Sequence, residues 1–247
     1  MSVRAASELA GHATLRACWT AIAGFSPGAR VLDTSGAVAA LFPPRPYLNN
    51  AIATDLSDVA GVVSELRALY DAASIPSWAL WIPSSATGFD RSADRLRAVD
   101  GLRRDITTLV MHAEFIEDLP VDDRVRRVSF AAVERLALGD TPLPTIELGA
   151  PEDVPGLFAW ALVIDGIAVA YAYTYLQDED CGVYTVGTML DHRRRGYARA
   201  LVAHALADAR ERGARTASLQ STPMGERLYA TLGFRSAGRY EEWTLDE

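Results

Sequence analysis

The chain has 247 residues, of which 49% are hydrophobic and 23% are charged, and its formal net charge is −8 at pH 7. This composition excludes an intrinsically disordered chain and leaves room for one large or two small globular domains. The acidic balance argues against nucleic acid as a partner, because nucleic-acid binders usually carry a basic face.

All 24 basic residues are arginines, since the sequence contains no lysine. Schiff-base chemistry and the phosphate-loop lysine of nucleotide hydrolases are therefore excluded. The two cysteines suggest neither a metal site nor a disulfide framework, and three of the histidines lack metal-ligand spacing, so we expect no metal. These residues are Cys18, Cys181, His112, His192 and His204. The sequence shows no secretory signal and no apolar run of about 18 residues, which predicts a cytoplasmic protein without a membrane partner.

The N-terminal half predicts a mixed layer of helices and strands. Residues 13–23 are typical of a helix within an alanine-rich region that ends at the prolines of 43–46. A second helix is expected from Asp55 or Ser57 as its N-cap, because Val59, Val62, Val63, Leu66, Leu69 and Tyr70 fall on one helical face.

Two strands are predicted next. The first covers residues 77–82 and is stopped by Pro83, and the second covers 107–115. The end of another helix is expected at 96–99, and an acidic connector at 116–124 leads into the second half of the chain.

The second half begins with residues 130–156, which are broken by prolines and poor in helical periodicity. Two apolar segments, Leu157 to Ile164 and Ile167 to Leu176, then predict a β-hairpin about Asp165-Gly166. After an acidic turn, the apolar run from Val183 to Leu190 predicts a buried strand.

The remaining elements alternate between helix and strand. Apolar residues recur at helical spacing from Ala198 to Ala209, with Gly213 as the cap of this long helix. The last predicted elements are a strand at Thr216 to Gln220, a short helix at Pro223 to Leu232 that ends at Gly233, and a final strand at Tyr240 to Leu245.

The turn between the strand 183–190 and the long helix reads Arg193-Arg194-Arg195-Gly196-Tyr197-Ala198. A helix start presents unpaired N–H groups and the positive end of the helix dipole, which together bind anions. Gly196 has no Cβ, so a ligand can approach the backbone there. These arginines are the only dense basic cluster in residues 129–247. The turn therefore predicts a phosphate or pyrophosphate site, and the alternative is a solvated arginine turn.

Two motifs resemble those of one enzyme family. Arg-x-x-Gly-x-Ala at 193–198 resembles the Arg/Gln-x-x-Gly-x-Gly/Ala loop with which GCN5-related N-acetyltransferases (GNAT) hold the pyrophosphate of acetyl-coenzyme A (acetyl-CoA). The run 228–234, Leu-Tyr-Ala-Thr-Leu-Gly-Phe, resembles the Leu-Tyr-x-x-Leu-Gly-Phe signature of the same family. The resemblance covers about residues 130–245.

The resemblance implies an α/β fold (α+β mixed sheet), with a mostly antiparallel central sheet and flanking helices. The N-terminal half repeats the order of helices and strands more weakly, and this resembles the two-lobe members of the family. It implies tandem lobes, with a degenerate acetyltransferase-like lobe at 1–120 and a catalytic lobe at 125–247. We expect one coenzyme site per chain, with the first lobe shaping the acceptor pocket and covering sheet surface.

The resemblance also assigns roles to residues. Backbone N–H groups of residues 188–190 would bond the pantetheine amide and polarise the thioester carbonyl. Tyr229 would be the catalytic residue and donate a proton to the departing thiolate, the alternative being a tyrosine of the core. The full cofactor-binding set is Thr188, Met189, Leu190, Arg193, Arg194, Arg195, Gly196, Tyr197, Ala198 and Arg199.

The implied function is transfer of an acetyl group from acetyl-CoA, without a metal, to an amine acceptor by direct attack. The acceptor would be a small molecule or a peptide, and the protein a monomer or a homodimer. Two alternatives remain open. One is a non-catalytic acyl-CoA-binding or sensory module, and the other is an enzyme with a longer acyl donor.

The sequence identifies no general base. The predicted strand 183–190 contains no carboxylate, and the acidic residues of the turn before it are expected to be solvated; these are Asp178, Glu179 and Asp180. A water relay to Glu147 and a neutral substrate are both open alternatives. A stripe of tyrosines that share one strand face could line the acceptor channel or pack in the core. The stripe consists of Tyr171, Tyr173 and Tyr175. His204 is expected on the exposed side of the long helix.

Overall fold

The computed structural model of this chain describes residues 10–84, 99, 101–114, 119–139 and 141–245. The α-helices in these ranges are α1 (His12–Ala23), α2 (Val59–Ala72), α3 (Phe130–Ala137), α4 (Tyr197–Glu211) and α5 (Glu226–Ala230). The strands are β1 (Arg30–Asp33), β2 (Ala37–Leu41), β3 (Asn50–Ala53), β4 (Ala79–Ser84), β5 (Leu102–Ala113), β6 (Val125–Val128), β7 (Leu143–Pro144), β8 (Leu157–Ile164), β9 (Ile167–Gln177), β10 (Asp180–Thr188), β11 (Thr216–Ser221) and β12 (Arg235–Leu245). No helix within these ranges has both the length and the apolar character needed to cross a membrane.

The predicted fold class is confirmed, because the strands form mostly antiparallel sheet with helices on its faces. The chain divides into two compact units. The first comprises Met1–Met111, Ser221–Met224 and Ser236–Glu247, and the second comprises His112–Gln220 and Gly225–Arg235. The units differ from the lobes 1–120 and 125–247 mainly at the C-terminal strand. The division into tandem lobes stays a prediction.

The sheet of the first unit runs in the order β1-β2-β3-β4-β12-β5. Strands β3 and β4 are parallel, whereas β12 pairs with β4 antiparallel from Arg239 opposite Ser84 to Thr244 opposite Ala79. The final strand predicted at 240–245 therefore exists, but it begins at Arg235 and completes a sheet formed by residues from the start of the chain.

One core cluster of the first unit lies between this sheet and α2. The helix buries the predicted face, and Tyr70 stacks on Trp78 with ring centroids 4.8 Å apart. Trp243 of β12 is 1% exposed and belongs to the same cluster. The N-cap is Asp58, whose side chain accepts the Gly61 N–H at 3.0 Å, so the predicted caps Asp55 and Ser57 lie three residues and one residue too early.

Three short strands of the first unit, β1, β2 and β3, were not expected. Strands β1 and β2 lie in the alanine-rich region, where a continuous apolar run such as 37–41 fits a buried strand and a helix equally well. Pro83 lies inside β4 rather than after it. The N–H of Ala79 points towards β3, and by alternation the nitrogen of Pro83 does too, but the pairing with β3 ends at Trp81. The N–H that proline lacks is therefore not needed. The helix end expected at 96–99 lies outside the described residues, except for Val99.

The sheet of the second unit runs β11-β10-β9-β8-β6, with β7 paired to β9. Helix α4 covers one face, and α3 covers the other, where Phe130 packs edge-on against Tyr173 at 5.0 Å. The predicted β8–β9 hairpin is confirmed. Asp165 and Gly166 both have positive φ, 49° and 79°, which is the geometry of the two-residue turn that this dipeptide favours.

Residues 130–156 do form one helix, although the sequence shows little helical periodicity. Helix α3 has eight residues and begins after Ser129, whose hydroxyl accepts the N–H of Ala132 at 3.1 Å. The prolines that follow give a single 3₁₀ turn at Thr145–Glu147. Strand β6 precedes α3. It was not predicted, because its four residues are too few to show a strand pattern.

We expect a fragment of residues 125–247 to aggregate when it is expressed alone. The buried side chains of Tyr240 and Trp243 lie in the sheet of the first unit, so the fragment would expose them together with the unpaired edges of β12. Size-exclusion chromatography and near-ultraviolet circular dichroism would measure this. A fragment of residues 112–235, which lacks β12, should aggregate less. A monodisperse, natively packed 125–247 fragment would contradict the prediction.

Candidate active site

The site is built on strand β10, which bends in its middle. Tyr184 pairs with Tyr173 and Gly187 pairs with Tyr171, so two residues of β10 lie opposite the single residue Ala172 of β9. Thr185 is the first of these two and has φ 52°, a left-handed conformation that is rare for a β-branched residue. This is a β-bulge, and it turns the second half of β10 away from its original direction.

After Val183, no described strand is paired with β10 on the β11 side, and this side of the strand is called its free edge. Its parallel pairing with β11 covers only Asp180 to Val183, opposite Thr216 to Leu219. Among the described residues, the backbone from Tyr184 to Thr188 therefore has no strand paired to it on the β11 side, over about 13 Å at about 3.3 Å per residue. An extended ligand can lie along this edge and bond its amide groups to the strand.

The other end of the β10–β11 pair is tied together. The carboxylate of Asp180 accepts hydrogen bonds from the hydroxyls of Thr216 at 2.8 Å and Ser218 at 2.7 Å. The expectation that Asp180 lies in a solvated turn is therefore wrong, because β10 begins at Asp180 and its side chain is engaged with β11. The two strands are held at one end and separate at the other.

The chain leaves β10 through a 3₁₀ turn at Leu190–His192. The N–H of Met189 donates to the carbonyl of Val169 on β9 at 2.8 Å, so it is not available to a pantetheine amide as predicted. The amide groups of Thr188 and Leu190 remain as predicted donors. Arg193 folds back, and its Nε donates to the carbonyl of Thr188 at 3.1 Å.

Helix α4 starts at a glycine in left-handed conformation. Gly196 is its N-cap with φ 79°, and no side chain caps this helix end. The N–H of Ala200 makes the first helical bond, to the carbonyl of Gly196 at 3.0 Å, so the amides of residues 197–199 point out of the helix start. A Cβ at Gly196 would meet no described atom within 4 Å. The geometry is that of an open anion site.

The amides rather than the arginine side chains are positioned to supply most of the affinity. The helix dipole contributes about 0.3–1 kcal/mol, whereas a micromolar ligand requires about −8 kcal/mol. Several amide bonds to ionised oxygens, at about 1.5–3 kcal/mol each, can make up the difference. Arg193, Arg194, Arg195 and Arg199 are all exposed and surround this helix start with positive charge.

The ring of Tyr197 has His192 and Arg124 as neighbours, and the His192 ring centroid lies 6.3 Å from its own. The guanidinium of Arg124 lies 5.6 Å from the centre of the Tyr197 ring, and Arg124 in turn donates to both carboxylate oxygens of Asp122, at 2.9 and 2.7 Å. The hydrogen bond from Arg124 lowers the pKa of Asp122.

His204 is not on an exposed side of the helix, contrary to expectation. Its Nδ1 accepts the N–H of Asp122 at 3.2 Å, and its ring packs edge-on against Trp160 at 5.5 Å. The histidine thus joins the connector before β6 to helix α4. The missed signal was the position of His204, one turn of the helix after Ala200, on the face that covers β8.

Tyr229 is 8% exposed and packs edge-on against Phe234 with ring centroids 6.0 Å apart. Among the described residues its hydroxyl has no hydrogen-bond partner, and burial raises the pKa of Tyr229 to about 12. Full proton transfer to a thiolate whose thiol has a pKa near 8.5 would be uphill by about 5 kcal/mol. A hydrogen bond from the phenol to the developing thiolate is therefore the chemically easier role.

The predicted tyrosine stripe divides into two kinds of residue. Tyr173 is buried and packs between Phe130 and Tyr184, at 5.0 and 5.5 Å, so it belongs to the core. Tyr171 and Tyr175 are half-buried on the same face. The three side chains share one face as expected, and only the outer two are partly exposed.

No described carboxylate is a clear general base. Glu147 accepts a hydrogen bond from Arg135 at 2.6 Å, and Glu179 forms an ion pair with Arg215 at 3.0 Å. Strand β10 carries no carboxylate after Asp180. The base stays unassigned, as the sequence indicated.

A bulged strand that separates from its parallel neighbour and leads into an uncapped helix start defines the class of protein as one with an acetyltransferase fold. Residues 130–234 match the sequence model of the Acetyltransferase (GNAT) family. This segment is a GNAT acetyltransferase domain.

Solved structures support the same fold over nearly the whole chain. A GCN5-related N-acetyltransferase from Kribbella flavida is 20% identical with a TM-score of 0.66, covering 94% of this chain and 96% of that one. A GCN5-related N-acetyltransferase-like protein from Streptococcus suis is 16% identical with a TM-score of 0.61, covering 94% and 92%. A tandem GNAT protein from the clavulanic acid biosynthesis pathway is 14% identical with a TM-score of 0.51, covering 89% and 83%. A search of curated proteins finds no match.

Proposed function

We propose that this protein is an N-acetyltransferase that moves an acetyl group from acetyl-CoA to an amine by direct attack of the amine on the thioester. The observation that carries the proposal is the uncapped start of α4 at Gly196, placed directly after the free edge of β10. The pyrophosphate would bind the amides of 197–199 and the pantetheine arm would lie along Tyr184 to Thr188. The acceptor would be a small-molecule or peptide amine.

The chain's own residues would divide the work between binding and chemistry. Backbone amides at the end of β10 would polarise the thioester carbonyl as negative charge develops on its oxygen. The phenol of Tyr229 would hydrogen-bond the sulfur as the C–S bond breaks. The two cysteines are buried and burial raises the pKa of both thiols, so neither is suited to form an acetyl-enzyme.

The test combines a binding measurement with an activity measurement. Isothermal titration calorimetry with acetyl-CoA should give one site per chain, and release of free thiol should be followed across a library of amines. Turnover with one class of amine, together with single-site binding, is the expected result. Absence of acetyl-CoA binding by the full chain would refute the proposal.

A second candidate is a non-catalytic acyl-CoA-binding or sensory module. The observation that favours it is the lack of a carboxylate on β10 after Asp180, which leaves the amine without an evident base. Tight binding of acetyl-CoA with no thiol release for any amine would support this candidate. The Tyr229→Phe variant separates the two, because a sensory module has no turnover to lose.

A further inference from the structure

The side chain of Tyr171 lies across the strand on which the proposed thioester would rest. Tyr171 on β9 is directly opposite Gly187 on β10, at the first paired position after the bulge. A Cβ at Gly187 would overlap with Cζ and Oη of Tyr171. The hydroxyl end of the ring therefore covers Gly187, and this position of β10 accommodates the ring because it has no side chain.

The same contact fixes the direction in which Tyr171 points. Strand β9 lies on one side of β10 and the free edge lies on the other, so a side chain that starts on β9 and ends over Gly187 reaches towards that edge. Burial raises the pKa of Tyr171, and the positive charge of Arg193 opposes this rise. Arg193 itself bonds the carbonyl of Thr188 at the end of β10.

We propose that Tyr171 determines the length of the acyl group, and this inference rests on the proposed function of the site. With the pantetheine arm along the free edge from Tyr184 to Thr188, the acyl group continues from the thioester on the face where the Tyr171 ring covers Gly187. The ring closes the space beyond an acetyl methyl. Acyl-CoAs with longer chains are excluded because their added methylenes would have to displace this ring.

Tyr175 provides a matched control on the same strand and the same face. It is half-buried like Tyr171, and it also lies opposite a glycine, Gly182. At Gly182, however, β10 is still paired with β11, so no free edge exists there. Removing the Tyr175 ring opens space away from the proposed thioester.

The experiment measures binding of a series of donors to the full chain by calorimetry, which requires no knowledge of the acceptor. The ligands are free CoA, acetyl-CoA, butyryl-CoA and hexanoyl-CoA, and the proteins are the unaltered chain, Tyr171→Ala, Tyr171→Phe and Tyr175→Ala. We expect the unaltered chain to bind butyryl-CoA at least about tenfold more weakly than acetyl-CoA. In Tyr171→Ala the two added methylenes should gain about fifteenfold relative to acetyl-CoA, from a contribution of about fourfold per buried methylene.

The controls separate specificity from damage to the site. Tyr171→Phe and Tyr175→Ala should keep the preference for acetyl-CoA, and all variants should bind free CoA within about threefold of the unaltered chain. An unaltered chain that binds butyryl-CoA as tightly as acetyl-CoA would overturn the inference while the proposed function stands. An unchanged preference in Tyr171→Ala would do the same. If the unaltered chain binds no CoA at all, both fail.

Discussion

The Gly196→Val variant is expected to lose at least about a hundredfold in affinity for acetyl-CoA. Gly196 has φ 79°, which a β-branched residue adopts only with strain, and the added methyl groups would enter the open space in front of the helix start. Blocking two charge-assisted amide bonds at about 1.5–3 kcal/mol each accounts for a loss of this size. Calorimetry with acetyl-CoA measures it directly.

The matched control is Gly213→Val at the other end of α4. Gly213 also has positive φ, 104°, and also open space around its Cβ position, so the backbone strain is comparable while the pyrophosphate site is untouched. This control should lower the melting temperature but keep acetyl-CoA affinity. The Arg195→Ala variant should weaken binding only about fivefold or less, as is typical of one exposed charge. Unchanged affinity in a folded Gly196→Val variant would show that the coenzyme binds elsewhere.

The Tyr229→Phe variant is expected to lower kcat by about 10²–10⁴ with nearly unchanged affinity for acetyl-CoA. The lost group is the hydrogen bond to the departing thiolate, and general-acid groups contribute rate factors of this size. Stability should not fall, because the hydroxyl of Tyr229 has no partner among the described residues and its removal leaves no polar group unsatisfied. Free-thiol release and thermal unfolding, measured on the same sample, check both parts.

Tyr70→Phe is the control with the opposite signature. The hydroxyl of Tyr70 donates to the carbonyl of Ala40 at 3.0 Å in the buried core of the first unit, so its removal should cost about 1 kcal/mol of stability and no turnover.

Because burial raises the pKa of Tyr229 to about 12, the phenol stays protonated through neutral and moderately alkaline pH. Ionisation of Tyr229 should therefore give no alkaline decline of kcat below about pH 11. If turnover of the Tyr229→Phe variant stayed within about twofold of the unaltered chain, Tyr229 would be a core residue without a catalytic role.

Elements specified by local chemistry were predictable from the sequence. The Asp165-Gly166 turn requires two positive φ angles, and these residues adopt them more readily than most others. The apolar face predicted for α2 is the face that the helix buries in the structure. Strand β12 was predicted as a strand, but its partner could not be, since pairing with β4 across more than 150 positions of sequence depends on tertiary packing.

The candidate site was predictable in its residues more than in its shape. The glycine at position 196 and the arginines before it predict an anion site from local sequence alone, and this site stays a prediction. The separation of β10 from β11 cannot be read from either strand, because it arises from the bulge at Thr185 and from the bonds that Asp180 makes at the other end. Gly182 and Gly187 within an apolar strand were the available signal for an irregular β10, since glycine inside a strand often marks a bulge or a close approach.

The position of β12 also constrains when the sheet of the first unit can form during synthesis. During synthesis, β4 and β5 emerge from the ribosome well before residues 236–245, which lie between them in the finished sheet. Until those residues arrive, each of the two strands presents an unpaired edge to solvent or to a chaperone. A premature stop after residue 235 would therefore spare the Gly196 loop and damage the part of the chain translated first.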